Sequence, residues 1–517
     1  MIVKNPVLRG FNPDPSILKV GDTFYIATST FEVYPGIQIH ESKDMVNFEV
    51  VSQPLTEDII DLTNNNPSSG VWAPDITYKD GEFYIVFSNV KTWSRGPFKD
   101  VYNYIIHSKS IKGPWSKPVF INSSGFDASL FHDDDGKSYF INQEWDYRGL
   151  RGAPCFRGIL VQEIDLVNMT LIGEAKNVFR GTDRGLVEGP HIFKRNGYYY
   201  LICAEGGTDF NHAESVSRST NVFGQYITHP NKLILSSKDS DAFLQRAGHA
   251  SFVDGGNLGW FMAHLCSRPI DKKCMLGRET AIQNIYWEND WPYLKGNTIL
   301  PYDTYEVKGE VECHLKKEIH YDIESERFKL DFQTLRRPMD EFIKKENGKL
   351  ILTGKQSVDS YYEQMTLQRR IQEFDTTFGC RLTYDPSSFD HMAGIMIRYQ
   401  EGDLYFIYVT VNEKNERVLR ILTQNDFKTE FYNDIEIRVP QSVFLKIHTA
   451  YRECRFYYSL DGSDYKMIGP VLDATLLSDQ VVKHGGFTGA FYALHVSDLK
   501  EAKKEAIFEK IYYKEND

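Results

Sequence analysis

Five segments of the chain repeat one pattern at a spacing near sixty residues, and a repeat of that length restricts the fold more than any other feature. Each segment holds a short apolar strand, a glycine turn and a second strand rich in aromatic residues. They begin at Asp14 (with Gly21 and Phe24-Tyr25-Ile26-Ala27), Ala73 (Gly81, Phe83-Tyr84-Ile85-Val86), Asp127 (Gly136, Tyr139-Phe140-Ile141), Glu188 (Gly197, Tyr200-Leu201-Ile202) and His249 (Gly259, Phe261-Met262-Ala263). The starts lie 59, 54, 61 and 61 residues apart, and each precedes a matching aromatic by 11 or 12 residues. Further strand-like runs follow the first three pairs at 37–40, 104–107 and 159–162, and Gly113-Pro114-Trp115 and Phe223-Gly224 mark turns between outer strands. Four short strands per repeat of this size describe a propeller blade, so residues 1–305 read as a five-bladed β-propeller.

Beyond about residue 325 the period disappears. Strand-like runs persist, as in 406–411 and 444–448, and Asp461-Gly462 is a hairpin turn between Phe456-Tyr457-Tyr458 and Tyr465. Many short strands with little helical pattern predict a β-sandwich over 325–517. The charged stretch 306–324, with Glu306, Lys308, Glu310, Glu312, Lys316, Lys317 and Glu318, reads as the linker. The fold class is therefore all-β, in two domains, with low helix content throughout.

Composition narrows the function. Asp and Glu outnumber Lys and Arg by 71 to 59, and a net charge of −12 opposes binding to phosphate backbones, which excludes a nucleic-acid partner. Aromatic residues make up 14% of the chain; strand propensity accounts for most of them, and ring faces also wall sugar sites. The seven cysteines are odd in number, scattered and free of any C-x-x-C pair, so neither a disulfide framework nor a zinc site is expected. No apolar run reaches the roughly 18 residues of a membrane span, and the N-terminus lacks a basic stretch followed by an apolar one. The expected location is cytoplasmic, with no membrane partner.

In a propeller the first strand of every blade lines the central channel, so equivalent positions converge on one axis. Here those positions hold Asp14, Ala73, Asp127, Glu188 and His249. Asp-Pro and Asp-Gly pairs also serve as turn residues at strand entries. Three carboxylates in register are better explained by function, because crowded buried carboxylates repel and a purely stabilising core would be apolar there. Asp75 lies two residues deeper, level with Ser16, Ser129 and Ser251, and reads as a supporting residue rather than a catalytic one. Two carboxyl groups flanking a glycosidic bond can cleave it, one donating a proton and the other activating water or attacking C1, while a third raises the pKa of the acid. Spacing alone leaves open which residue takes which part.

The motifs Asn12-Pro-Asp-Pro-Ser16, Ala27-Thr-Ser-Thr-Phe-Glu32, Trp72-Ala-Pro-Asp75, Gly125-Phe-Asp-Ala-Ser-Leu130, Val187-Glu-Gly-Pro-His191 and Leu276-Gly-Arg-Glu-Thr280 together resemble family 43 glycoside hydrolases, over essentially the full chain and most closely the two-domain β-xylosidases. The resemblance implies a concanavalin-like C-terminal sandwich and an inverting mechanism with Asp14 as general base, Glu188 as general acid and Asp127 as the carboxylate that tunes the acid. Inversion would require Asp14 and Glu188 to stand roughly 6.5–9.5 Å apart. It further implies that Arg278 donates to the terminal sugar, the competing reading being a surface salt bridge. Phe31, Trp72 and Trp145 become aromatic walls, against a plain core role for each. His249 contacts either the base network or a central calcium ion, against a purely structural role; no cofactor is otherwise required.

The stretch Gly485–Phe491 resembles a sandwich loop that closes the site, with Phe487 as the lid residue. A site closed at one end implies an exo-acting β-1,4-xylosidase on xylooligosaccharides, with α-L-arabinofuranosides as a second substrate class, in a homodimer or homotetramer. The stretch between Arg268 and Leu276 is shorter than the family pattern, which leaves the leaving-group side and the subunit contacts less defined than the mechanism. A non-catalytic, lectin-like propeller is the reading from another class; it would need one of the three carboxylates missing, and none is. An endo-acting arabinanase would need an open groove.

Overall fold

The computed structural model describes residues 1–93, 96–148, 155–314 and 317–516. Five antiparallel four-stranded sheets form the N-terminal domain, four built from strands consecutive in sequence and blade one interrupted by the short strand Val33–Tyr34. Their inner strands are Ser16–Val20, Gly70–Lys79, Ser129–His132, Glu188–Arg195 and Gln245–Asp254. Period-2 alternation turns one face of each blade toward its neighbour, and five apolar clusters fill the five boundaries. Ile39, Leu55, Ile76 and Ile85 belong to the cluster between blades one and two, and Ile17, Ile26, Phe261 and Ile282 to that between five and one. Each such fully buried side chain contributes about 1.5–3 kcal/mol.

Polar side chains reach across the same boundaries near the axis. The Ile17 amide donates to Ser251 Oγ (3.1 Å), closing blade five on blade one. Ser16 Oγ donates to Asp75 Oδ1 (2.7 Å) and accepts the Ile76 amide (3.1 Å), joining one to two. The Leu130 amide donates to Asp75 Oδ2 (2.8 Å), and Ser129 Oγ donates to the Pro190 carbonyl (2.6 Å). The Ala250 amide donates to Glu214 Oε2 (2.9 Å), completing the ring. His191 Nδ1 stands 3.3 Å from Asp75 Oδ1. Asp75 thus ties its own blade to three others, which is why an acid occupies a buried strand position there.

Strand pairing corrects the register expected for blade four. Ser16, Asp75, Ser129, His191 and Ser251 face Ala27, Val86, Ile141, Ile202 and Ala263 on the second strands. Two residues before each stand Asp14, Ala73, Asp127, Gly189 and His249, all with left-handed φ of 52°, 27°, 53°, 55° and 52°. The equivalent of Asp14 in blade four is therefore Gly189, and Glu188 projects from one residue earlier, beside a bulge between Glu188 and His191. A Cβ at Gly189 would lie 3.0 Å from the His249 imidazole, so the axial position is kept empty and the carboxyl arrives from its neighbour.

The N-terminal segment locks the ring. Ile2–Lys4 pairs with Thr304–Glu306, and the Asn5 side chain both donates to and accepts from the Ile282 backbone (2.8 and 2.9 Å). The stretch expected as linker is not all connector: Glu318–His320 pairs with the final strand, Glu505–Glu515, inside the sandwich, while Lys316 lies outside the described residues.

Two sheets of eight and seven strands enclose the core of the C-terminal domain. Ser442–Ala450 alternates buried and half-buried residues, as a strand packed on one face should. The Asp461-Gly462 turn closes a hairpin of Glu453–Ser459 and Lys466–Asp473, with Asp461 Oδ1 accepting the Ser463 amide (2.8 Å). The single α-helix among the described residues is Glu326–Asp331, capped by Ser325. Thr334–Leu335 pairs with Val33–Tyr34 of blade one, and Arg336 forks onto Glu401 while its Nε donates to the Asn65 carbonyl (2.6 Å), so the sandwich is tied directly to the propeller.

Replacing Asp75 by Ala strands the Leu130 amide and His191, and is expected to cost about 3–5 kcal/mol in chemical denaturation. Asp75→Asn should cost less, since one acceptor remains. Burial pushes the Asp75 carboxyl upward, but His191, the Leu130 amide and Ser16 hold it below its ordinary value. Its stabilising contribution is therefore full at neutral pH and fades as pH falls below roughly 4.

Candidate active site

Where the inner strands enter the sheet at one end of the channel, Asp14, Phe31, Trp72, Phe126, Asp127, Glu188, Thr208, His249, Arg278 and Phe487 enclose a cavity with about 380 Å3 of empty space. The three carboxyl groups singled out in the sequence all reach it. So do Phe31, Trp72, Arg278, His249 and Phe487. Trp145 does not: it packs on the outer side of Phe126 (ring centroids 5.8 Å) and donates from Nε1 to the Pro97 carbonyl (2.9 Å), one ring removed from the cavity.

Asp14 is held from both sides. Its Oδ1 accepts from Arg278 (2.7 Å) and its Oδ2 from Ser29 Oγ (2.6 Å), while Ser29 Oγ accepts the Ala73 amide (2.7 Å). Arg278 is therefore no surface residue; it is 3% exposed, its second nitrogen donates to the Phe487 carbonyl (3.1 Å), and it reaches Thr208 Oγ1 (3.2 Å). Its guanidinium carbon lies 5.3 Å and 5.4 Å from the Phe31 and Phe487 ring centres, so cation–π attraction adds to the hydrogen bonds.

Glu188 and Asp127 share a different environment. Burial, and then the charge of Asp127, hold the Glu188 carboxyl well above its usual range. Burial, and then Asp14, raise Asp127 to about 7, and the Gly189 amide donates to its Oδ2 (3.1 Å). Buried carboxyl groups that repel one another cannot both ionise cheaply, so the pair holds a proton more readily than free carboxylates do. Lys99 faces the pair from the rim, its Nζ 4.7, 4.7 and 4.4 Å from the ring centres of Trp72, Phe126 and Trp145. Burial lowers it to about 8, against the opposing pull of Glu188 and Asp127.

His249 stacks on the axial glycine, with Nδ1 3.8 Å from Asp14 Oδ1. Burial lowers it to about 4 despite Asp14, so it is neutral at physiological pH. Calcium favours six to eight oxygen ligands. The donors here are an imidazole and an aspartate already occupied by a guanidinium, and no group of three or more His, Cys, Asp or Glu able to hold a metal occurs among the described residues. The residues at this position do not fit the calcium ion that the family resemblance allowed.

Phe487 comes from the sandwich. Its amide donates to Ser68 Oγ (3.1 Å), and its ring stacks on Trp93 (4.6 Å) and meets Trp72 edge-on (5.6 Å). Trp72 is fixed by its own Nε1 donating to the Ser68 carbonyl (3.0 Å). Sequence reading missed Phe126, Trp93, Lys99 and Thr208. Phe126 adjoins Asp127 and was within reach of the motif; the other three sit in connecting segments or at strand ends where no periodicity marks them.

The family model for glycosyl hydrolases family 43 matches residues 3–292, and that for the β-xylosidase C-terminal concanavalin A-like domain matches 320–514. Xylosidase/arabinosidase 43B of Humicola insolens is 43% identical over 99% of this chain and 97% of its own. Xylan 1,3-beta-xylosidase of a Vibrio species is 40% identical over 99% of both. The crystal structure of xylan beta-1,4-xylosidase from Bacillus halodurans C-125 superimposes with a TM-score of 0.95 at 40% identity, covering 99% of this chain and all of that one. Matched over both its propeller and its appended sandwich, this chain belongs to glycosyl hydrolases family 43.

Proposed function

We propose that the protein is an exo-acting, inverting glycosidase that releases xylose from the non-reducing ends of β-1,4-xylooligosaccharides. The observation that carries this reading is one small cavity lined both by Glu188, whose carboxyl burial and the charge of Asp127 hold well above its usual range, and by Asp14, clasped by Arg278. Glu188 donates its proton to the glycosidic oxygen as the bond to C1 breaks. Asp14 takes a proton from the water that attacks C1, and the product inverts. Asp127 keeps the proton on Glu188 until it is needed. Neutral His249 and Phe31 flank the sugar, and Phe487 seals the cavity so that only a chain end enters.

The relatives named for 1,4- and 1,3-xylosidase activity support xylose as the sugar and leave the linkage to the assay. A relative named for both xylosidase and arabinosidase activity favours α-L-arabinofuranosides as a second substrate. Nitrophenyl xyloside and nitrophenyl arabinofuranoside side by side, with 1,4- and 1,3-linked xylobiose, test the substrate; proton NMR of the first-formed sugar tests the stereochemistry, and an anomer of retained configuration would overturn the mechanism.

Asp14→Ala and Glu188→Ala should each lower kcat on xylobiose by about 10²–10⁴-fold. For Glu188→Ala the loss should be smaller on the nitrophenyl glycoside, whose leaving group needs less protonation.

Activity requires protonated Glu188 and fails as pH rises through its elevated pKa. Asp127→Asn removes a charge that raises that pKa and should move the alkaline limb of the kcat profile to lower pH. Lys99→Met removes a charge that lowers it and should move the limb upward. Shifts in the same direction for both variants would contradict the electrostatic account.

A further inference from the structure

A buried ion pair joins the two domains just behind the sugar cavity. Arg246, at the start of the inner strand of blade five, is 2% exposed. One guanidinium nitrogen donates to Asp479 Oδ2 (2.5 Å), and two others converge on the Thr208 carbonyl (2.5 and 3.2 Å). Asp479 belongs to the sandwich, and its side chain is likewise 2% exposed. A pair so fully desolvated adds little net stability over apolar substitutes, so stability alone is a weak reason for it.

Two chains of contacts from the pair lead to one place. On the propeller side, Arg246 grips Thr208, whose hydroxyl lines the cavity and accepts from Arg278 (3.2 Å). On the sandwich side, Asp479 Oδ1 accepts from Tyr399 OH (2.5 Å), which in turn accepts the Thr488 amide (3.1 Å). Thr488 follows Phe487, whose carbonyl accepts from Arg278 (3.1 Å). The two branches leave one aspartate and meet again at one arginine, the same arginine that clasps Asp14. Close packing stiffens the loop further: a Cβ at Gly277 would lie 1.9 Å from the Thr488 carbonyl oxygen, and the Ala490 amide donates to the Met275 carbonyl (2.8 Å).

We propose that Asp479 and Arg246 are positioning residues for hydrolysis: through Thr208 on one side and the Phe487 loop on the other, they set the Arg278 guanidinium against Asp14 and the terminal sugar. The proposal rests on the glycosidase reading above. It makes the sandwich part of the catalytic geometry and not only its lid, since the carboxylate that hydrogen-bonds Arg246 comes from the sandwich, whereas the propeller's own Asp209 stands 3.8 Å from Arg246 Nε and is largely exposed.

The test uses the full chain. Arg246→Lys retains a positive charge facing Asp479, but an ammonium cannot make the planar fork onto Thr208. Its kcat/KM on nitrophenyl xyloside should fall roughly 10- to 100-fold, the range for sub-ångström to 1 Å displacement of a positioned group. Competitive inhibition by xylose should weaken in step, with both measured well below the thermal midpoint. The paired variant Asp479→Asn with Arg246→Met removes both charges together, so no lone charge stays buried. Its midpoint should recover relative to Asp479→Asn alone, while activity and xylose inhibition stay depressed.

The proposal is overturned if activity and inhibition recover together with the midpoint, or if Arg246→Lys matches the parent protein in both. Should the paired variant fail to fold, Arg246→Lys decides by itself. A parent protein inactive on nitrophenyl xyloside and nitrophenyl arabinofuranoside would instead refute the glycosidase reading, whatever the variants do.

Discussion

The inner strands of the five blades are held to one another by side chains that reach sideways across each boundary, and the cavity stands on that ring. Ser251, Ser16, Asp75 and Ser129 of the inner strands, and Glu214 of the third strand of blade four, each bridge to a neighbouring blade at a position where a strand would ordinarily carry an apolar residue. Sheets packed through apolar faces alone can slide; directional bonds at the axis fix their relative height. Two residues above this layer the backbone turns into the left-handed region in every blade, aiming Asp14, Asp127 and His249 into the channel. A slip of one residue would send those side chains away from the axis.

On that scaffold the electrostatics divide the carboxyl groups by their partners. Asp14 has a guanidinium and a hydroxyl within hydrogen-bond reach. No cation among the described residues hydrogen-bonds Glu188, and burial, then the charge of Asp127, holds its carboxyl well above the usual range. Asp127 falls between, with a backbone amide and the more distant charges of Lys99 and Arg278. The acid and the base of the proposed mechanism are the same kind of functional group made different by what packs around them.

Much of this was legible in the chain itself. The repeat marks five blades because every blade needs its own hairpin, and hairpins leave turn and aromatic signals that can be counted. Asp14, Asp127 and Glu188 were visible for the same reason, although a bulge displaced Glu188 by one residue, and a count of residues cannot see a bulge. Trp145, expected as a pocket wall from the family resemblance, stands behind Phe126, because which ring faces a cavity depends on how neighbouring blades pack. Lys99 and Thr208 lie where no period runs, so nothing local announces them.

By itself, the sequence determined the all-β class, the division into propeller and sandwich, and the trio of carboxyl groups, since these follow from local periodicity and from residue types repeated in register. The tertiary structure alone decided the raised pKa values of Glu188 and Asp127, the burial of Arg278 and the partnership of Arg246 with Asp479. Those depend on distances between residues far apart in the chain: 264 positions separate Asp14 from Arg278, and 233 separate Arg246 from Asp479. Desolvation and Coulomb attraction act across space, and no pattern along the chain encodes them.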